Sequence, residues 1–123
     1  MDKRNAMEMY EVMLHDCPDE GDSIENRIRS GVCKMLATMW REYWMCCFEG
    51  RRKDIIKPPE DMKPLEATKK LWLDFVDNER QRWTLHLDKL SKFGRKDDAQ
   101  KEQLKITQLE KLVLIWKQKV EET

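Results

Sequence analysis

Only four glycines and four prolines interrupt 123 residues, and between those breaks the apolar residues recur at the 3.6-residue helical period. Leu, Lys, Glu, Met, Gln and Arg dominate, and such straight-chain residues lose little rotamer freedom in a helix. Ala6, Met9 or Tyr10, and Met13 predict a first helix over about 3–15, which Pro18 stops. A capping box of Asp22 and Glu25 opens the second, over 23–49, and Gly50 ends it. Ile24, Ile28, Val32, Met35, Leu36, Met39, Tyr43 and Cys46 or Cys47 keep its period. The pair Ser30-Gly31 is its weak point and marks either a close helix contact or a bend.

Residues 50–63 form a linker in which the basic cluster Arg51, Arg52, Lys53 and Lys57 precedes Pro58-Pro59, a pair expected to lie extended over the surface. Pro64 suits a first helical turn, and the third helix spans 64–93 with Gly94 as its cap. Leu65, Trp72, Phe75, Val76, Trp83, Leu87 and Leu90 fall on one face of it. A fourth helix, 98–121, is expected to be capped by Asp97 with Gln100 completing the box. Ile106, Leu109, Val113, Trp116 and Val120 step along it as a short coiled-coil-like seam. About three residues separate helices three and four, so they form an antiparallel hairpin. The expected fold is all-α: one domain, a bundle of about four helices. With 39% charged beside 40% hydrophobic residues, its core has to be narrow.

Net charge is zero, so there is no overall bias toward polyanions. Residues 1–25 nevertheless hold eight acids against Lys3 and Arg4, a net of −6, which leaves +6 for the remainder. That acidic head is either an ordinary solvated segment or one that docks on the basic body. Cys17, Cys33, Cys46 and Cys47 accompany no signal peptide or membrane-length apolar run. Reduced thiols and an intracellular setting, cytoplasmic or nuclear, are therefore expected.

The run Leu112-Val113-Leu114-Ile115-Trp116 is apolar all round a helix, so something must cover both sides. Either this is the central helix of the bundle or its second side meets another chain. Leu104 and Ile115 lie nearly opposite the seam, and Leu71 and Leu85 lie off the core face of helix three. Trp40, Tyr43, Trp44 and Phe48 crowd the end of helix two, which makes Trp44 the tryptophan expected to protrude beside the basic linker. The predicted partner-binding set is thus Leu104, Leu112, Leu114, Ile115, Trp116, Leu71, Leu85 and Trp44. Ile106, Leu109, Leu112 and Leu114 also have the spacing of a leucine-rich export signal, which any leucine-rich core helix produces.

Cations on Arg51, Arg52 and Lys53, on Arg82, Lys89 and Lys92 of helix three, and on Arg95 and Lys96 beyond it supply a phosphate-binding alternative, blunted by interleaved aspartates. His15, His86 and the cysteines have no zinc-type spacing, and adjacent Cys46 and Cys47 point about 100° apart on a helix, so no metal or other cofactor is expected. No nucleophile elbow or phosphate loop is present. Glu79, on the apolar arc of helix three, is expected to pair with Arg80 or Arg82. The residues read as a non-enzymatic helical protein that binds another protein or self-associates. The alternative is a dimeric helical nucleic-acid binder.

Overall fold

The computed structural model describes residues 1–17 and 23–123. Among the described residues it is 82% helical and contains no strand. The helices are α1 (Asp2–Asp16), α2 (Ile24–Glu49), α3 (Pro64–Lys92) and α4 (Lys96–Glu122). The ends show why the chain breaks there. Ser23, not Asp22, caps α2: its side chain accepts from the Asn26 amide at 3.1 Å, the third helical N–H that a capping oxygen reaches. Asp22 lies outside the described residues. Gly50 closes α2 at φ 75.

Pro64 occupies the first turn of α3. Gly94, at φ 71, ends that helix with two reverse bonds, Arg95 N–H to the Leu90 carbonyl (3.0 Å) and Gly94 N–H to that of Ser91 (3.2 Å). This closure uses only residues 93–95, so α4 starts at Lys96, earlier than expected, and no side chain caps it. Asp97 and Asp98 instead sit inside its first turn, where a carboxylate complements the positive helix end. In the linker, Ile55 and Ile56 N–H both reach the Arg52 carbonyl, and Ile56 packs against the core. Arg52 sits at φ 57, in the left-handed region that side chains rarely adopt.

Successive helices run antiparallel. Lys3 meets Glu49 and Trp40 meets Ala6 across α1 and α2. Trp72 meets Leu36 across α2 and α3, while Lys69 meets Glu121 and His86 meets Glu102 across the α3–α4 hairpin. The core is built on tryptophans. Trp40, Trp72 and Trp116 are fully buried, and each donates its indole N–H to a helix other than its own. Trp40 donates to the Ala6 carbonyl (2.8 Å), Trp72 to that of Leu36 (2.9 Å), and Trp116 to the Asp16 carboxylate (2.9 Å). The Trp40 and Trp72 rings meet edge to face, with centroids 6.2 Å apart.

Two expectations are corrected. Cys17 and Cys33 are paired in a disulfide, which ties the end of α1 to α2, so these two thiols are not the reduced small hydrophobes read from the sequence. The pairing is three-dimensional: antiparallel packing brings the end of α1 beside Cys33, with Cα atoms 5.5 Å apart, which a linear spacing of 16 does not reveal. Cys46 and Cys47 are free thiols, as expected of all four. Second, at Ser30-Gly31 only the serine is packed, fully buried, while Gly31 marks neither a close contact nor a break. The α2 helix runs through it, and a Cβ on Gly31 would meet nothing within 4 Å.

Both corrections can be measured. Closing a loop of about 15 residues stabilises a fold by roughly 3 kcal/mol through the unfolded chain, so Cys33→Ala, or dithiothreitol on the native protein, should lower the unfolding free energy by about that amount in urea. An unchanged midpoint would remove the tether. Gly31→Ala should raise stability by about 0.5–1 kcal/mol, since an exposed helical glycine costs backbone entropy and alanine fits here; a lower midpoint would mean that the site is not open.

Candidate functional site

The predicted partner residues divide sharply. Leu112, Trp116 and Trp44 are buried in the protein's own core, so they are not a surface for another chain. Both α2 and α3 pack on α4 and cover its apolar run from two sides. Trp44 is enclosed because α2 touches all three other helices, with Tyr43 turned onto Phe75 of α3. Leu71 packs half-buried against the core, and Leu104 is half-buried. Leu114, Leu85 and Ile115 remain outside, 79%, 62% and 51% exposed. Of the export-like spacing, only Leu114 is exposed; Ile106, Leu109 and Leu112 are core.

Two hollows mark the outer side of the hairpin. The larger, about 580 Å³, lies between α3 and α4. Val76, Leu109 and Val113 make its apolar floor, Leu114 stands at its edge, and Asp77, Arg80, Glu110, Lys117 and Glu121 supply charges of both signs. The second, about 450 Å³, lies nearer the hairpin turn and brings together Arg82, Leu85, His86 and Lys89 of α3 with Lys105 of α4 beside Trp83. At its base the buried Glu102 carboxylate bonds His86 Nδ1 at 3.0 Å and lies 3.3 Å from Lys105 Nζ. Lys105 also sits 4.5 Å from the Trp83 ring centroid, a cation–π distance. Leu85 and Leu114 therefore belong to separate hollows.

The cationic set is dispersed. Arg51 pairs with Glu49 (3.5 Å) and Arg52 with Glu42 (3.7 Å). Arg82 pairs with Glu79, as expected for that glutamate, and Arg95 with Asp98. Among the described residues Lys53, Lys89, Lys92 and Lys96 make no ion pair. The structure thus joins Arg82 and Lys89 with His86 and Lys105, but not with the linker cluster. Glu102 and Lys105 were missed from the sequence, although a signal existed: stepping back four residues from Ile106 along the seam lands on Glu102. Among the described residues the acidic head meets the body at Asp16 with Lys119 (3.4 Å) and at Glu25 with Gln108 (3.5 Å); Asp19, Glu20 and Asp22 lie outside the described residues.

Among the described residues no three His, Cys, Asp or Glu side chains cluster to hold a metal, and no helix is long and apolar enough to cross a membrane. Burial pushes the Cys46 thiol up against the opposing pull of Lys53. Cys47 is also raised by burial, countered in part by a hydrogen bond with Thr68. Both are thereby poorer nucleophiles than an ordinary thiol. Comparison with known families, curated proteins and solved structures returned no match.

Tyr43 gives a pH test of the α2–α3 contact. Burial foremost, then the Glu79 and Asp74 carboxylates, pushes its pKa up to about 12. The unfolded phenol ionises near 10, so the stability that neutral Tyr43 contributes is complete below pH 10 and is lost as pH rises from 10 to 12. The loss amounts to about 2 kcal/mol. Tyr43→Phe should flatten urea midpoints across that window; an equal alkaline loss in the variant would place the sensitive group elsewhere.

Proposed function

We propose that this chain is a non-enzymatic helical interaction protein whose working surface is the outer side of the α3–α4 hairpin. One observation carries the reading: Leu114, Leu85 and Ile115 are the most exposed large apolar side chains in any helix interior, and all three belong to this hairpin. Isolated exposed leucines are ordinary. Leu114, however, borders a recess whose floor includes the half-buried Val113, and a partner's apolar stripe laid there removes Leu114 and the open part of Val113 from water, at up to about 1.5–3 kcal/mol for a large side chain. The mixed charges around this groove suit a protein carrying both signs better than a polyanion.

The hollow at Arg82, His86, Lys89 and Lys105 favours the second reading, phosphate contact by a nucleic-acid binder. Its cations are partly neutralised by Glu79 and Glu102, which ranks it below the first. One experiment separates the two. Capture of a protein partner, or of the chain itself, should survive a several-fold rise in salt, vanish in Leu114→Asp with helicity intact, and persist in the double variant Arg82→Glu, Lys89→Glu. Nucleic-acid binding with a steep salt slope, lost in the double variant and kept in Leu114→Asp, would overturn the protein reading in favour of the second.

A further inference from the structure

We propose that the occupant of the α3–α4 groove is a second copy of this chain, its α4 crossing the first in antiparallel sense at Val113 and Leu114. This rests on the interaction reading above and adds the identity of the partner. Leu114 stands four-fifths exposed beside the recess floored by Val76, Leu109 and Val113, so each copy carries a projecting side chain and a hollow next to it. A twofold axis makes such a surface engage itself twice and close.

The charges select the same arrangement. Glu110 and Lys117 both line the groove. They lie two turns apart on one side of α4, about 10 Å, and their midpoint falls between residues 113 and 114, beside Leu114. Neither makes an ion pair within its own chain among the described residues. A twofold through that midpoint reverses the helix, setting Glu110 of each copy against Lys117 of the other. A parallel pairing would instead oppose Glu110 to Glu110 and Lys117 to Lys117, which repel. The unpaired charges are thus complementary under one symmetry operation and antagonistic under the other, and the exposed leucine sits on the axis that makes them complementary.

Sedimentation velocity on the full chain tests this. The wild type should dimerise, and Glu110→Lys or Lys117→Glu should each weaken the dimer about tenfold by turning two attractions into two repulsions. The combined swap in one chain should restore it, because the pairs re-form with signs exchanged. Both residues are exposed, so circular dichroism should be unchanged in all three variants. A monomer at about 1 mM, or a dimer indifferent to both single swaps, overturns the proposal. If Leu114→Asp still abolishes capture of a different protein in that case, the interaction reading stands and only self-pairing falls.

Discussion

Three indole N–H groups hold this bundle to a single arrangement. Trp40, Trp72 and Trp116 bring large apolar bodies into a thin core, and each also carries a donor that cannot be left unmet there without a cost of about 1–3 kcal/mol. Their acceptors lie on other helices: the Ala6 carbonyl on α1, the Leu36 carbonyl on α2 and the Asp16 carboxylate at the end of α1. A mid-helix carbonyl already receives its own helical N–H, so the indole uses a second lone pair, and the ring must lie flush against the neighbouring backbone. Ala6 provides that access by having almost no side chain. Helix order and axial register follow together, because sliding α1 along α2 by one turn would strand the Trp40 donor. Trp44 shows the contrast: it is enclosed by the same packing, and its N–H has no partner among the described residues.

The short α1 depends on these contacts more than any other element. Fifteen residues are marginal as an isolated helix, and α1 places only Ala6, Met9 and Met13 in the core. Its position is fixed from both ends instead. Lys3 pairs with Glu49 at one end, while at the other Asp16 accepts from Trp116 and Lys119, and Cys17 is bonded to Cys33. The carboxylate of Asp16 therefore works twice, as an acceptor for a buried donor and as a counterion. That is the structural use made of one charge from an acidic head that, as a run of sequence, gives no hint of which acid is involved.

Helix identity, the hairpin and most of the core were legible because they depend on local chemistry. Gly94 needs a left-handed turn, Pro64 suits a first turn, and Ile106, Leu109, Trp116 and Val120 have to share a face. What was not legible is whatever depends on how many helices lie against a given arc. Periodicity shows that the run Leu112–Trp116 is apolar all round, but not that α2 and α3 jointly bury two of its sides and leave Leu114 and Ile115 outside. Trp44 failed as a protruding residue for the same reason, since crowding on one helix says nothing of how many neighbours share the load. The Cys17–Cys33 pair and the convergence of His86 with Glu102 are contacts across antiparallel helices, fixed by register rather than by spacing. The capping residue moved by one position because Asp22 and Ser23 are both good caps, and only backbone geometry selects between them.

Exposure on this surface carries information because so little apolar area is left to distribute. A narrow bundle with 39% charged residues can clothe its outer faces in Lys, Glu and Gln, and over most of α4 it does: Gln103, Glu110, Lys111, Lys117 and Gln118 are all exposed. A polar residue at 114 would continue that pattern without disturbing the seam one turn away, because the position points from the core. Leucine there gains nothing from the monomer's own packing. It adds an apolar side chain beside a recess whose floor is already apolar, between a carboxylate and an ammonium that make no ion pair among the described residues. That departure from binary pattern, without compensation among the described residues, is what the proposed external contact would explain.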